Sequence, residues 1–131
     1  MTLTKRTRSE MEEMRKVFDK KGGAREQFLR KIGSDPAQVA KLEEIGLSKS
    51  DIARIQGGKM PTSAEFAVHH KIGLEFSEGT NNFDNLIFIK NDPYHDLLTN
   101  YQSNVGLRRA AAGTSVKVPY PIPVGSVYVP H

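Results

Sequence analysis

The sequence predicts an α+β fold in one domain, residues 1–131. Its parts are a mostly helical stretch (1–60), a strand–strand–helix unit (61–102) and an extended tail (103–131). Capped segments with helical apolar spacing predict the first part, and two short β-rich runs predict the second. The tail lacks helical periodicity, and its ending VPYPIPVGSVYVPH is rich in proline, which favours an extended chain along the surface. A chain of 131 residues can bury one core of ordinary size.

Four short helices are predicted before residue 60, each followed by a glycine. The predicted starts are Ser9 with Glu12 as a capping box, Ala24, Asp35 with Pro36, and Ser48. In the first helix the apolar face is predicted to contain Met11, Met14, Val17 and Phe18. These residues fit core packing, and nothing in their spacing indicates a cofactor site.

Two strands and a helix are predicted after Lys59-Met60-Pro61. The first strand is EFAVHH, residues 65–70, and the second is LIFI, residues 86–89. Between them lies a polar loop, SEGTNNFDN, in which Asn81 and Asn82 are interpreted as turn residues. Residues 91–93, Asn-Asp-Pro, open the predicted helix.

Composition excludes several classes of protein. No apolar run approaches the roughly 18 residues that a membrane-spanning helix needs, and no apolar segment follows the basic N-terminus as in a secretory signal peptide. The absence of cysteine excludes disulfides, thiolate zinc sites and a cysteine nucleophile. Residues 1–60 contain 14 Lys and Arg against 9 Asp and Glu. This basic half fits either a polyanion-binding surface or an ordinary solvated one, and charge alone leaves both open.

Three of the four histidines fall where the predicted hairpin and helix meet. His69 and His70 end the first strand, and His95 lies in the first turn of the helix. An isolated histidine is usually a surface or core residue, but this grouping favours a site. Because neighbouring strand residues point to opposite faces, the strand must end or twist at the pair if both rings serve one site.

These residue types suit phosphodiester hydrolysis. A neutral imidazole, with a pKa of about 6.5, can take a proton from water, and other imidazoles can hold a divalent cation against the phosphate. Asn85, at the start of the second strand, has an amide oxygen that could accept the other N–H of the base histidine and so fix its tautomer.

The stretch VHHKIGLEFSEGTNNFDNLIFIKNDPYH resembles the HNH (ββα-metal) nuclease motif, in the His-His form of colicin-type and related bacterial toxin DNases. The resemblance covers about residues 66–102 and implies a metal-dependent DNA endonuclease. It implies that His69 and His95 are metal ligands, that His70 is the general base and that Asn85 orients the base. His131 is predicted to be unrelated to the site.

The third protein ligand departs from the family pattern, which has a histidine where this chain has Thr99. Thr99 can bind weakly or through water, and other oxygen donors are close in sequence: Asp92, Asp96 and Gln102. Two imidazoles with oxygens and waters suit magnesium, manganese, nickel or zinc, and the sequence does not choose among them.

Predicted DNA contacts are Lys71, for which a solvated side chain is an equal alternative, and Arg108 with Arg109. The family implies contacts mainly to the DNA backbone and little sequence specificity. The resemblance also implies a monomeric toxin domain of a bacterial competition protein or bacteriocin, delivered by a specialised system into the cytoplasm of a target bacterium. A neutralising acidic immunity protein would then be its partner. The alternatives are a phage or restriction-type HNH endonuclease and a non-catalytic DNA-binding module.

Overall fold

The computed structural model describes residues 1–91, 111–117 and 122–130, and these residues form an α+β fold. The elements in chain order are β1 (Thr2–Thr4), α1 (Arg8–Asp19), α2 (Ala24–Ser34), α3 (Pro36–Glu44), α4 (Lys49–Gln56), β2 (Phe66–His70), a 3-10 turn (Phe83–Asn85), β3 (Leu86–Lys90) and β4 (Ser115–Lys117). The predicted helix after residue 91 lies outside the described residues. The same is true of residues 118–121 and 131.

Helix starts follow the local cap chemistry that the sequence predicts, with one correction. Asp35 accepts a hydrogen bond from the backbone of Ala37, and Ser48 accepts one from Asp51. The capping box of α1, however, is formed by Thr7 and Glu10, two residues before the predicted one. Thr7 is the N-cap in place of Ser9. Its hydroxyl accepts a hydrogen bond from the Glu10 N–H, and the Glu10 carboxylate accepts one from the Thr7 N–H.

Helices α2 and α4 pack closely because Gly33 has no side chain. A Cβ built there would lie 2.8 Å from the Gln56 Cα, which is too close for any other residue. Helix α1 is less buried than predicted. Phe18 is buried, Met11 and Met14 are half-buried, and Val17 is 44% exposed. The apolar face of α1 is therefore narrower than its sequence suggests.

Strands β2 and β3 form an antiparallel pair in which His70 is opposite Leu86 and His69 is opposite Ile87. One face of this pair packs against the helices to form the main core. The buried residues of that core are Phe18, Phe28, Leu29, Ile32, Leu42, Leu47, Ile52, Ile55, Phe66, Leu86, Phe88 and Val127. On the opposite face Ile87 and Ile89 are also buried. The apolar run of β3 is continuous because both of its faces are covered.

Two features of the chain ends are absent from the sequence prediction. Strand β1 pairs antiparallel with β4, with Leu3 opposite Val116. Near the end of the chain, Val127 forms a parallel bridge with Phe88 and is 3% exposed. Residues 126–128 therefore dock on β3 and contribute to the core, whereas the sequence predicts a tail that only follows the surface.

Within the described part of the chain, none of the helices has the length and apolar character needed to cross a bilayer.

Candidate active site

The histidine pair lies at the end of β2, in register with the start of β3. Because strand side chains alternate, His70 points to the face that packs on the helices and His69 to the other face. His70 is 9% exposed and His69 is half-buried. Both rings can serve a single site only if the strand ends or twists at the pair. Strand β2 ends at His70, so the first of these conditions is met.

His70 is enclosed by α1 on one side and by the loop after β2 on the other. The Phe18 ring lies 4.4 Å from the imidazole, centroid to centroid, at a tilt of 55°. The ring Nε2 lies 2.8 Å from the amide oxygen of Asn81. Burial lowers the pKa of His70 below its ordinary value, although the hydrogen bond to Asn81 works in the opposite direction. The lowered pKa favours the neutral imidazole, which is the form that can accept a proton.

Asn85 holds the loop that follows the histidine pair through its side-chain amide. Its amide oxygen accepts from the backbone N–H of Ile72 (2.9 Å), and its amide nitrogen donates to the carbonyls of Ile72 (3.0 Å) and Thr80 (2.8 Å). Its backbone carbonyl accepts from the Lys71 N–H. The hydrogen bonds of the Asn85 amide thus go to loop backbone and not, as predicted, to His70, whose Nε2 is hydrogen bonded to Asn81 instead.

Arg6 fastens the same loop from the outside. Its guanidinium donates to the carbonyls of Leu74, Ser77 and Gly79, at 2.8 to 3.1 Å. The backbone of Ser77 also donates to the Thr4 carbonyl. The loop between the histidines and Asn85 is therefore held on both sides, which fixes the backbone at the end of β2.

Lys71 is 7% exposed, so the alternative of an ordinary solvated lysine is wrong. Burial lowers the pKa of Lys71 below its usual range, and the nearby Asp84 carboxylate opposes that shift. Contact between Lys71 and a phosphate remains a prediction. The Lys71 side chain that would make this contact is buried.

The remaining predicted site residues fall outside the described part of the chain: His95, Thr99, Arg108 and Arg109. The same applies to the alternative oxygen donors Asp92, Asp96 and Gln102 and to His131. Within residues 1–91, 111–117 and 122–130, no three His, Cys, Asp or Glu side chains come together as a metal site would require. Of the predicted metal ligands these residues contain only His69.

Asn81 is the site residue that the sequence interpretation missed. Its amide joins His70 to the backbone carbonyl of Met14 in α1, whereas Asn82 next to it is exposed. The sequence predicts that both are turn residues. No sequence signal separates the two, because the partners of Asn81 are distant along the chain.

Comparison with known proteins gives one informative likeness. The chain is 36% identical over 128 residues to YhhZ of Escherichia coli (strain K12), an uncharacterized protein. The match covers 96% of this chain and 29% of YhhZ, so the chain spans less than a third of the length of that relative. No family model and no solved structure matches the chain.

Proposed function

We propose that the chain is a metal-dependent DNA endonuclease of the HNH kind, with His69 and His70 at the centre of its active site. One observation carries the proposal. The Asn85 side chain closes the loop onto Ile72, two residues after His70. The His-His pair and the asparagine of the motif, fifteen positions apart in sequence, thus meet at one end of a hairpin.

In the proposed reaction His70 acts as the general base. Its neutral imidazole takes a proton from the attacking water, whose oxygen forms a bond to the phosphorus of a phosphodiester. The bond from phosphorus to the leaving oxygen breaks, and that oxygen takes a proton from water. His69, together with His95 and Thr99 beyond the described residues, is proposed to hold one divalent ion: magnesium, manganese, nickel or zinc. The ion would supply positive charge for the phosphate and the leaving oxygen. His69 is half-buried at the end of a held strand, which suits an imidazole ligand.

The proposal requires both rings to reach one centre from opposite faces of β2. That is possible only at the end of the strand, where the chain bends at Lys71 and Ile72. Asn85 holds this bend and Arg6 holds the loop that follows it, so the backbone that carries the two imidazoles is anchored. Such pre-organisation is what a hydrolytic metal site needs.

DNA contacts are proposed for Lys71, Arg108 and Arg109, with support from the basic first half of the chain. Lysine and arginine bind phosphates irrespective of base sequence, so little sequence specificity is expected.

The proposed setting is the toxic domain of a bacterial competition effector or bacteriocin, neutralised by an acidic immunity protein and delivered into a target cell. The matching region of YhhZ is 29% of a longer chain, and a domain within a longer protein fits such an effector. A phage or restriction-type endonuclease is the alternative within the same chemistry.

A non-catalytic DNA-binding module is the second candidate, and the burial of His70 favours it. A histidine that is 9% exposed and hydrogen bonded to an asparagine can also be a core residue that only stabilises the fold.

Plasmid nicking in a series of divalent metals tests the proposal. We expect His70→Ala to abolish cleavage while metal binding by calorimetry is retained, because the base is not a ligand. His131→Ala, a histidine outside the motif, is the matched control and should cleave normally. Because His70 is packed against Phe18, His70→Gln and a thermal melt of each variant separate loss of chemistry from loss of fold. Cleavage by folded His70 variants at the parent rate would refute His70 as the general base, whereas a parent that cleaves with none of the metals would leave only a binding module. Loss of metal by the His70 variants would exchange the roles of His69 and His70.

The metal site has its own test in Thr99→His. If this position faces the ion, a third imidazole should tighten transition-metal binding, measured by calorimetry. Unchanged affinity would remove Thr99 from the proposed ligand set.

A further inference from the structure

Asn81 lies between His70 and helix α1 and contacts both. Its Nδ2 is 2.9 Å from the Met14 carbonyl oxygen, and its Oδ1 is 2.8 Å from the His70 Nε2. Met14 and Phe18 are four residues apart on α1, so they share one face of the helix. Helix α1 therefore interacts with His70 in two ways. The Phe18 ring contacts the imidazole directly, and Met14 is linked to it through Asn81.

These two distances determine which way the Asn81 amide points. A backbone carbonyl oxygen only accepts hydrogen bonds, so the atom that faces Met14 must be the amide NH₂. The amide oxygen must then face His70. In the flipped orientation two oxygens would meet at Met14, and this repulsion makes the flip unfavourable.

The orientation of the amide in turn determines the proton on the imidazole. The Asn81 oxygen is an acceptor, so the His70 Nε2 must carry hydrogen. A neutral imidazole carries one ring hydrogen, and Nδ1 therefore has the lone pair.

We propose that Asn81 is a positioning residue that holds His70 in the Nε2–H tautomer and makes Nδ1 the atom that accepts a proton. The assignment of the tautomer stands on the two hydrogen bonds of Asn81, and its catalytic consequence rests on the proposed nuclease function. Helix α1 contributes to this positioning, because its Met14 carbonyl orients the Asn81 amide that contacts His70.

The alternative states of His70 each lose a contact. The Nδ1–H tautomer would place two lone pairs opposite each other at Nε2 and Oδ1. A flip of the ring would place a C–H at the amide oxygen. Each state gives up one hydrogen bond at a buried site, which corresponds to a preference of roughly tenfold for the observed arrangement.

Nitrogen NMR of the 15N-labelled full chain tests the assignment, since the shifts of protonated and unprotonated ring nitrogens differ. Spectra are recorded near pH 8, where an ordinary imidazole is neutral. We expect the parent to have hydrogen on Nε2. Asn81→Ala should give a mixture of tautomers. Asn81→Asp loses the donor to the Met14 carbonyl but keeps an oxygen acceptor at His70, so Nε2 should stay protonated. Asn82→Ala is the matched control, since Asn82 is the exposed neighbour, and should leave the His70 signals unchanged.

Cleavage kinetics provide the second readout. Asn81→Ala should lower kcat roughly tenfold with KM and metal affinity nearly unchanged, because the base is mispositioned while substrate contacts remain. Asn81→Asp should recover part of that loss.

Hydrogen on Nδ1 in the parent would overturn the inference, as would an Asn81→Ala variant with unchanged tautomer and kcat. If Asn81→Ala fails to fold, the parent spectrum and Asn81→Asp still decide. A parent that has the Nε2–H form but cuts no DNA with any metal would support the tautomer assignment and refute the proposed function alone.

Discussion

Replacing Asn85 with alanine should destabilise the protein strongly, because one amide makes three hydrogen bonds to loop backbone. The bonds join it to both backbone groups of Ile72 and to the carbonyl of Thr80. Each such bond contributes about 1 kcal/mol net, and a buried group left without a partner costs about 1–3 kcal/mol. The loss should therefore be about 3 kcal/mol, with more if water cannot reach the Ile72 groups.

Urea unfolding followed by circular dichroism measures this loss. For a chain of this length, about 3 kcal/mol corresponds to a fall in Tm of roughly 10 °C. The matched control is Asn82→Ala. Asn82 is exposed, and its side chain forms no hydrogen bond with any residue of the described ranges, so its change should stay within about 0.5 kcal/mol.

Equal stability of the two alanine variants would refute the assignment of Asn85 as the tie that holds the loop. If Asn85→Ala is measured well below its own Tm and still cleaves at the parent rate, the held loop is not needed for the proposed chemistry.

Two further predictions concern the same region and the helical half. Gly79→Ala should cost about 1–3 kcal/mol, since its Cβ would overlap the Gly73 carbonyl, while Gly57→Ala meets only ordinary contacts and should be near neutral by urea unfolding. Hydrogen bonds from the backbone and hydroxyl of Thr62 lower the pKa of Asp51. The resulting stability is present above the unfolded pKa, near 3.8, and is lost as the pH falls through the lower folded value. The free energy of unfolding, measured in urea from pH 7 to pH 2, should therefore be higher for the parent than for Asp51→Asn at pH 7. This difference should shrink as the pH falls. A constant difference would contradict the assignment.

Much of the fold follows from local sequence. Asp35 and Ser48 cap helices because their side chains reach N–H groups only two and three residues away. The strands β2 and β3 are recognisable from β-rich runs on either side of a polar loop, and their pairing brings His70 to the start of β3 as predicted. The α1 cap was misplaced by two residues, because Thr7 and Ser9 carry the same kind of signal.

The surroundings of the candidate site depend on contacts between distant parts of the chain. Asn81 reaches Met14 from 67 residues away, and Val127 enters the core beside Phe88. Such contacts leave no periodicity or spacing in the sequence, so Asn81 was indistinguishable from Asn82. For the same reason the burial of Lys71 was not foreseen. The sequence by itself determined which residues are candidates for the proposed chemistry, since side-chain type and short spacing are local properties. The tertiary structure decided which asparagine meets His70, because only packing brings the loop against α1.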